Sequence, residues 1–344
     1  MQHPIRLALT GLLFIFTACT WGCDSSGNGG PSAEDIALEA QRVKSVGKLI
    51  DASARNPEYM PELKAQHEAF SHFDGHYLLE PHTPLLEARI LTVAKYIEGS
   101  ARQPEMEPKL KDLFDSYAGL LTPELIKNSE RAHCFRMLTL GKLLESVARQ
   151  PEKAPSLKEK AASYLGRFDD YPLHTMATPL VLYYRNIALE KLIEGIARQP
   201  ESAPLLRETA AAFLGQFSDY PIEAMTNPRV LAGRVQLVGQ YIEGVTRQPE
   251  EETLLEEVLT VFAGDKSLVV NSTSCLVNAA RLDALSDLSE SSGRQPYYFF
   301  DTANCTGENC KKFQNILEQQ AGPIQLGSSS SGCSLPESLW LMYD

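Results

Sequence analysis

Four groups of side chains in this 344-residue chain have the chemistry to build a site. The first is a cluster of His67, His72, Asp74, His76 and His82 within one short stretch, which holds more than half of the seven histidines. Imidazole and carboxylate together suit zinc or nickel. The spacing of His67, His72 and His76 nevertheless matches no metal motif, so no metal or other cofactor is expected. The second is the pair Asp169-Asp170 and the related Asp219, each beside a Tyr-Pro dipeptide. Paired carboxylates can act as acid and base on a glycosidic bond. These recur in successive copies of one pattern, however, whereas a catalytic pair should occur once. The third group is Cys275, Cys305, Cys310 and Cys333, all toward the C-terminal end of the chain. In an exported protein they are disulfide candidates, and four cysteines allow three pairings among which sequence does not choose. Cys134 stands alone in a helical stretch and reads as a small core residue.

The fourth group is a set of arginines at near-constant spacing. The tripeptide Arg-Gln-Pro, once Arg-Asn-Pro, places its arginine at Arg55, Arg102, Arg149, Arg198, Arg247 and Arg294, at intervals of 47, 47, 49, 49 and 47. Thirteen residues before each stands another arginine: Arg42, Arg89, Arg136, Arg185, Arg234 and Arg281. Four residues before each stands an acid, from Asp51 through Glu98, Glu145, Glu194 and Glu243 to Glu290. Three before stands a small residue: Ala52, Gly99, Ser146, Gly195, Gly244 or Ser291. A period of this length is the mark of a repeat architecture.

The elements that position these residues follow from the pattern inside one period. Between the two arginines apolar residues recur with helical spacing, as in Leu189, Leu192, Ile193 and Ile196. The motif proline stops that helix. A second proline (Pro61, Pro108, Pro155, Pro204) opens another helix, carrying a leucine two residues later and an aromatic seven beyond that. Gly119, Gly166, Gly215 and Gly264 are expected to close it in a left-handed cap. A longer loop, such as the stretch from Phe168 to Pro179, then returns the chain to the next long helix. The expectation is an all-α chain of tandem helical hairpins, an α-solenoid of about six units with a disulfide-bearing C-terminal cap. Its period and helix count resemble HEAT and armadillo arrays, though none of their sequence signatures is present. Six hairpins could also close into an (α/α)₆ toroid, an architecture that hosts carbohydrate-active hydrolases and lyases.

On a helical wheel the upstream arginines fall within the apolar stripe and the motif arginines roughly opposite. Two expectations follow for the upstream row. Each guanidinium is satisfied by a carboxylate or carbonyl of a neighbouring unit, or the six line a groove that grips anionic groups.

The N-terminus carries a different message. Arg6 and the apolar run Leu7 to Phe16 form an export signal too short to span a bilayer. The tetrapeptide Phe16-Thr17-Ala18-Cys19 resembles a bacterial lipoprotein signal, with Cys19 as the lipidated residue and Cys23 as the alternative. An ordinary secretory signal is the other reading. The resemblance implies a cell-envelope lipoprotein, held by its lipid alone at the outer membrane or periplasmic face. The expected division is a signal at 1–18, a lipidated flexible tether at 19–35, the helical repeats at 36–296 and the cap at 297–344. Loss of the signal removes Arg6 and no acid, so 31 basic and 44 acidic side chains remain, a net charge of about −13. That charge opposes nucleic acid at long range. Without a Ser-His-Asp set, a phosphate loop or a metalloprotease motif, the residues favour a non-catalytic scaffold that binds an envelope protein or an anionic polymer. The carbohydrate-active enzyme is the alternative.

Overall fold

The computed structural model describes residues 31–71, 82–264, 269, 272, 274–294 and a few positions between 311 and 322. All regular elements among these are helical. Six long helices are α1 (Ala33–Arg55), α3 (Thr83–Arg102), α6 (Glu130–Arg149), α9 (Pro179–Arg198), α12 (Pro228–Arg247) and α14 (Cys275–Arg294). Five shorter ones alternate with them: α2 (Met60–Ser71), α4 (Glu107–Tyr117), α7 (Ala154–Leu165), α10 (Ala203–Leu214) and α13 (Glu252–Ala263). Three single turns, α5 (Pro123–Ile126), α8 (Leu173–Met176) and α11 (Ile222–Met225), lie within the return loops.

The motif arginine is the last residue of each long helix from α1 to α12. The next residue, Gln199 after α9, takes φ −142° and ψ 77°, the extended region that a following proline imposes. Its backbone N–H still donates to Gly195, so the turn closes the helix rather than fraying it. The motif proline then begins a three-residue 3₁₀ turn, as at Pro200–Ser202, which reverses the chain into the short helix. At the other end Ser129, Thr178 and Asn227 cap α6, α9 and α12. Ser32 and Asp35 form a reciprocal capping box, so α1 begins at Ala33, inside the segment whose composition reads as tether.

Packing is between neighbours. The long helices lie on one another in chain order, α1 on α3, α3 on α6, α6 on α9, α9 on α12 and α12 on α14. Each short helix from α4 onward sits against its own long helix and the one before it, as α7 does against α6 and α3. No packing of α1 on α14 of similar extent is present among the described residues. The small residue three before the motif arginine lies at the three-helix junction. A Cβ on Gly195 would stand 2.9 Å from Ala148 Cβ and 3.3 Å from Leu206 Cδ1. The short-helix leucines Leu110, Leu157, Leu206 and Leu255 fill that junction and are fully buried, each worth about 1.5–3 kcal/mol of burial.

The glycines that end the short helices depart from the expected cap. Gly166 and Gly215 have φ +65° but ψ near 167°, a mirror-extended conformation open essentially to glycine alone. This turns their carbonyls inward, where they meet the upstream arginines. Arg136 donates from Nε to Leu165 O (2.7 Å), and from Nη2 to Gly166 O (3.0 Å) and Phe213 O (3.2 Å). Arg185 repeats the arrangement one unit on, with Leu214 O at 2.8 Å, Gly215 O at 2.7 Å and Phe262 O at 2.9 Å. One guanidinium thus ties together the C-terminal ends of two successive short helices. A cation suits that place, because uncapped carbonyls and the helix dipole concentrate negative potential there. Tyr171 and Tyr220 lie face-on to Arg136 and Arg185 at 4.5 and 4.8 Å, and their hydroxyls donate to Leu165 O and Leu214 O.

The return loops contain structure as well. Phe168–Asp170 and Phe217–Asp219 are 3₁₀ turns, followed by the single turns α8 and α11. Asp170 and Asp219 each accept a backbone N–H across their turn, from Arg167 and Gln216, at 2.6 Å.

Arg185→Lys keeps the charge but loses the fork that reaches three carbonyls. Charge-assisted hydrogen bonds are worth about 1.5–3 kcal/mol each, so the variant is expected to lose about 3 kcal/mol of stability. Urea melts followed by circular dichroism measure this, and an unchanged midpoint would contradict the clasp.

Candidate functional site

The upstream arginine row lies inside the stack. Arg89, Arg136, Arg185, Arg234 and Arg281 are 0–3% exposed. Arg89 donates to Ala118 O and Arg234 to Gly264 O, carbonyls as for Arg136 and Arg185. Arg281 donates to Ser272 O, Val269 O and the Asn278 side chain. Arg42, in the first unit, is partly exposed and bonds Glu39 and Tyr117 O. The groove expected from these six arginines is therefore not where they stand. The wheel placed them on the apolar stripe correctly, but the stripe faces the return loops and short-helix ends rather than solvent.

The other candidates are scattered. His67 Nε2 lies 2.8 Å from Ser45 Oγ, and burial followed by the charge of Arg42 lowers its pKa. His72, Asp74 and His76 fall outside the described residues, as do Cys19, Cys23, Cys305, Cys310 and Cys333. Cys275 opens α14. No group of three or more His, Cys, Asp or Glu side chains able to hold a metal occurs among the described residues. Cys134 is buried, and desolvation pushes its thiol up to about 12, which leaves it an inert core residue. Burial and then Arg136 bring His133 down to about 4, so it is neutral where it packs against Tyr171.

A groove does run across the long helices, on a face other than that of the arginines. It encloses about 540 Å³ and crosses α1, α3, α6 and α9. Its floor is apolar, with Leu91, Leu138 and Ile187 contributed by α3, α6 and α9. Gly47 and Gly141 sharpen it, because their missing side chains let neighbouring long helices approach closely. A Cβ on Gly141 would lie 3.3 Å from Ala188 Cα. The Thr92 hydroxyl donates from α3 to Val43 O of α1, and the Thr139 hydroxyl from α6 to Ile90 O of α3. Along the groove stand Lys48, Lys95, Lys142 and Lys191, each seven residues before a motif arginine, with Lys44 one turn before the first.

These lysines share the motif acids. Lys142 reaches Glu145 at 2.9 Å and Glu98 of the preceding unit at 3.3 Å. Lys95 reaches Glu98, and Lys191 reaches Glu194, both at 2.9 Å. Arg149 and Arg198 pair with Glu145 and Glu194 from the other side. Burial works to raise the Glu145 and Glu194 carboxyls, but these cations outweigh it and hold both below the ordinary value. With two cations to one acid in each unit, this stretch carries a positive excess. The lysine ammonium groups stay reachable, with the Lys95 and Lys142 side chains 42% and 41% exposed.

The same row changes sign farther along. The lysine position becomes Gln240 on α12 and Asp287 on α14, and the Lys44 position becomes Asp283. A Cβ on Gly239 would collide with the Asp287 carboxylate, so that acid lies directly over α12. Burial, reinforced by Glu243, Asp283 and Glu290, pushes Asp287 up to about 6. Burial, with Asp287 and Glu194 adding to it and Lys191 opposing, pushes Glu190 up to about 8. The face therefore runs from basic on α1, α3 and α6, through α9, where Glu190 adjoins Lys191, and the neutral Gln240 of α12, to acidic on α14. Sequence reasoning had a signal for this, a lysine at one repeat position in four of six copies, but that position is not invariant.

Comparison of the chain with protein-family models, with curated proteins and with solved structures finds no match.

The acidic end fixes a pH dependence. A carboxyl whose folded pKa exceeds its unfolded value destabilises the fold once ionised. The stabilising contribution of protonated Asp287 and Glu190 is thus fullest in acid and is lost as pH rises through about 6 and about 8 respectively. As pH rises through about 8, Glu190→Gln is expected to lose less melting temperature than the wild type, while the fall through about 6 that belongs to Asp287 remains in both. Parallel pH profiles for the two proteins would refute the assignment.

Proposed function

We propose that this chain is a non-catalytic, lipid-anchored scaffold of the bacterial cell envelope that binds another envelope protein along its long-helix face. The observation that carries this reading is the continuous groove across α1, α3, α6 and α9, apolar at its floor and lysine-edged. A surface assembled from equivalent positions of successive units is what stacked helical hairpins offer a partner. We take the chain to be an α-solenoid of five full hairpin units and a degenerate sixth. The recurrence of the arginine motif supports this, as does packing in chain order with no comparable packing of α1 on α14 among the described residues. A toroidal enzyme would need that closure. Cys275, Cys305, Cys310 and Cys333 are the disulfides of the C-terminal cap, where export would permit them.

The anchor rests on the sequence around Cys19, and no helix among the described residues is long and apolar enough to cross a membrane. Cys19→Ser is expected to abolish incorporation of radiolabelled palmitate in a bacterial host, with Cys23→Ser retaining it. The opposite result moves the anchor to Cys23, and a wild type that takes up no label removes the lipoprotein reading.

The binding role is tested by quantitative capture from native envelopes with the wild type and Leu91→Ser/Leu138→Ser, both checked for folding. An envelope protein enriched by the wild type should fall at least tenfold with the variant. Equal recovery with both overturns the groove as the binding face.

A further inference from the structure

We propose that the occupant of the groove is an acidic amphipathic α-helix, laid across the long helices with a carboxylate over each lysine. This rests on the scaffold reading above and names the chemistry of the partner segment.

Three observations lead to it. The first is charge. The protein as a whole is acidic, with a net charge of −12, yet the groove edge carries Lys44, Lys48, Lys95, Lys142 and Lys191. A long polyanion would be repelled by the rest of the surface, whereas a short segment with a few acids meets only the basic stretch. The loss of the lysine at Gln240 on α12 and the reversal of sign at Asp283 and Asp287 on α14 limit such a segment to the first four long helices.

The second is the floor. Leu91, Leu138 and Ile187 call for apolar side chains on the face opposite to water. An extended chain would bring unpaired N–H and C=O groups onto this floor, and each buried one needs a partner. The floor offers few. Its walls are helices whose backbone groups are spent internally, and the Thr92 and Thr139 hydroxyls already donate inward. A helix arrives with its backbone satisfied and only side chains to place.

The third is spacing. Packed helices lie about 8–10 Å apart, which sets the step from one groove lysine to the next. Seven residues of α-helix rise about 10.5 Å. Acids at every seventh position, flanked by leucines one turn away, therefore keep register with Lys48, Lys95, Lys142 and Lys191. Three such steps span roughly 30 Å, the length of about 20 helical residues. The lysines would exchange part of their bonding to Glu98, Glu145 and Glu194 for the incoming carboxylates, so binding should weaken with salt.

The probe is a fluorescein-labelled model helix of that length, with leucines on one stripe and glutamate at every seventh position of its edge. Binding is read by anisotropy, with the peptide at tracer concentration and the full chain purified in mild detergent. Two further peptides carry lysine in place of each glutamate, or two central prolines. The glutamate helix is expected to bind, to weaken at least tenfold for Lys95→Gln/Lys142→Gln, and to weaken about tenfold between low and physiological salt. The lysine and proline peptides should each bind at least tenfold more weakly. Because the charge change is made on the peptide as well as the protein, a folding defect in the variant cannot imitate the result. Equal binding of the lysine peptide overturns the acidic partner, and equal or tighter binding of the proline peptide overturns the helix. If all three fail while envelope capture remains sensitive to Leu91 and Leu138, the scaffold stands and this occupant falls.

Discussion

A guanidinium held in the dry interior by backbone carbonyls is the interaction on which the stack depends. Removing such a cation from water costs several kcal/mol, and burial lowers the pKa of Arg136 and Arg185 accordingly. What offsets that cost is the acceptors they meet. The last carbonyls of an α-helix have no partner within it, and each short helix delivers several of them to one point. Arginine, with donors in a rigid fork, reaches three at once, and a tyrosine ring covers its face. Neither group would be satisfied without the other. Arg136 and Arg185 are met by carbonyls rather than carboxylates, and the motif acids pair with other cations.

Several other features follow from that arrangement. The glycine after the short helix is required because only its mirror-extended conformation turns the next carbonyl toward the arginine. The Tyr-Pro dipeptide of the loop sets the ring over the guanidinium, and Asp170 or Asp219 fixes the turn that leads to it. Because Arg136 and Arg185 also bond Phe213 O and Phe262 O, each 77 residues away, they fasten successive short helices to one another. With the interior connected in this way, the opposite face of the long helices is left free of structural duties. There the groove forms, and there the row of lysines varies from unit to unit.

The motif acids illustrate how one position serves both sides. Read locally, Glu145 and Arg149 are an ordinary pair one helical turn apart, worth a few tenths of a kcal/mol on an exposed surface. In the stack the same carboxylate also receives Lys142, and that lysine reaches back to Glu98. The result is a run of lysine–glutamate pairs along the groove edge, joined between units by Lys142 and Glu98, and the lysine is lost where Gln240 takes its place. On either side of that point burial, with neighbouring acids adding to it, raises the pKa values of Glu190 and Asp287.

The sequence by itself determined the period, the two helices of the first five copies of the pattern and most of their start and stop signals, and it put the upstream arginine on the apolar stripe without deciding between burial and a groove. Each of these is a local property written several times over, so chance coincidences cancel and the pattern remains. It also marked Gly166 and Gly215 as special, though it suggested the wrong backbone conformation, because glycine permits several. Only the tertiary structure decided what the arginines touch. Their acceptors are backbone carbonyls 29, 30 and 77 residues away, and every residue in a sequence has a carbonyl, so nothing distinguishes these in advance. The groove was hidden for a related reason. Lys48, Lys95, Lys142 and Lys191 each look like a solvated surface cation, and only stacking brings them into line above an apolar floor.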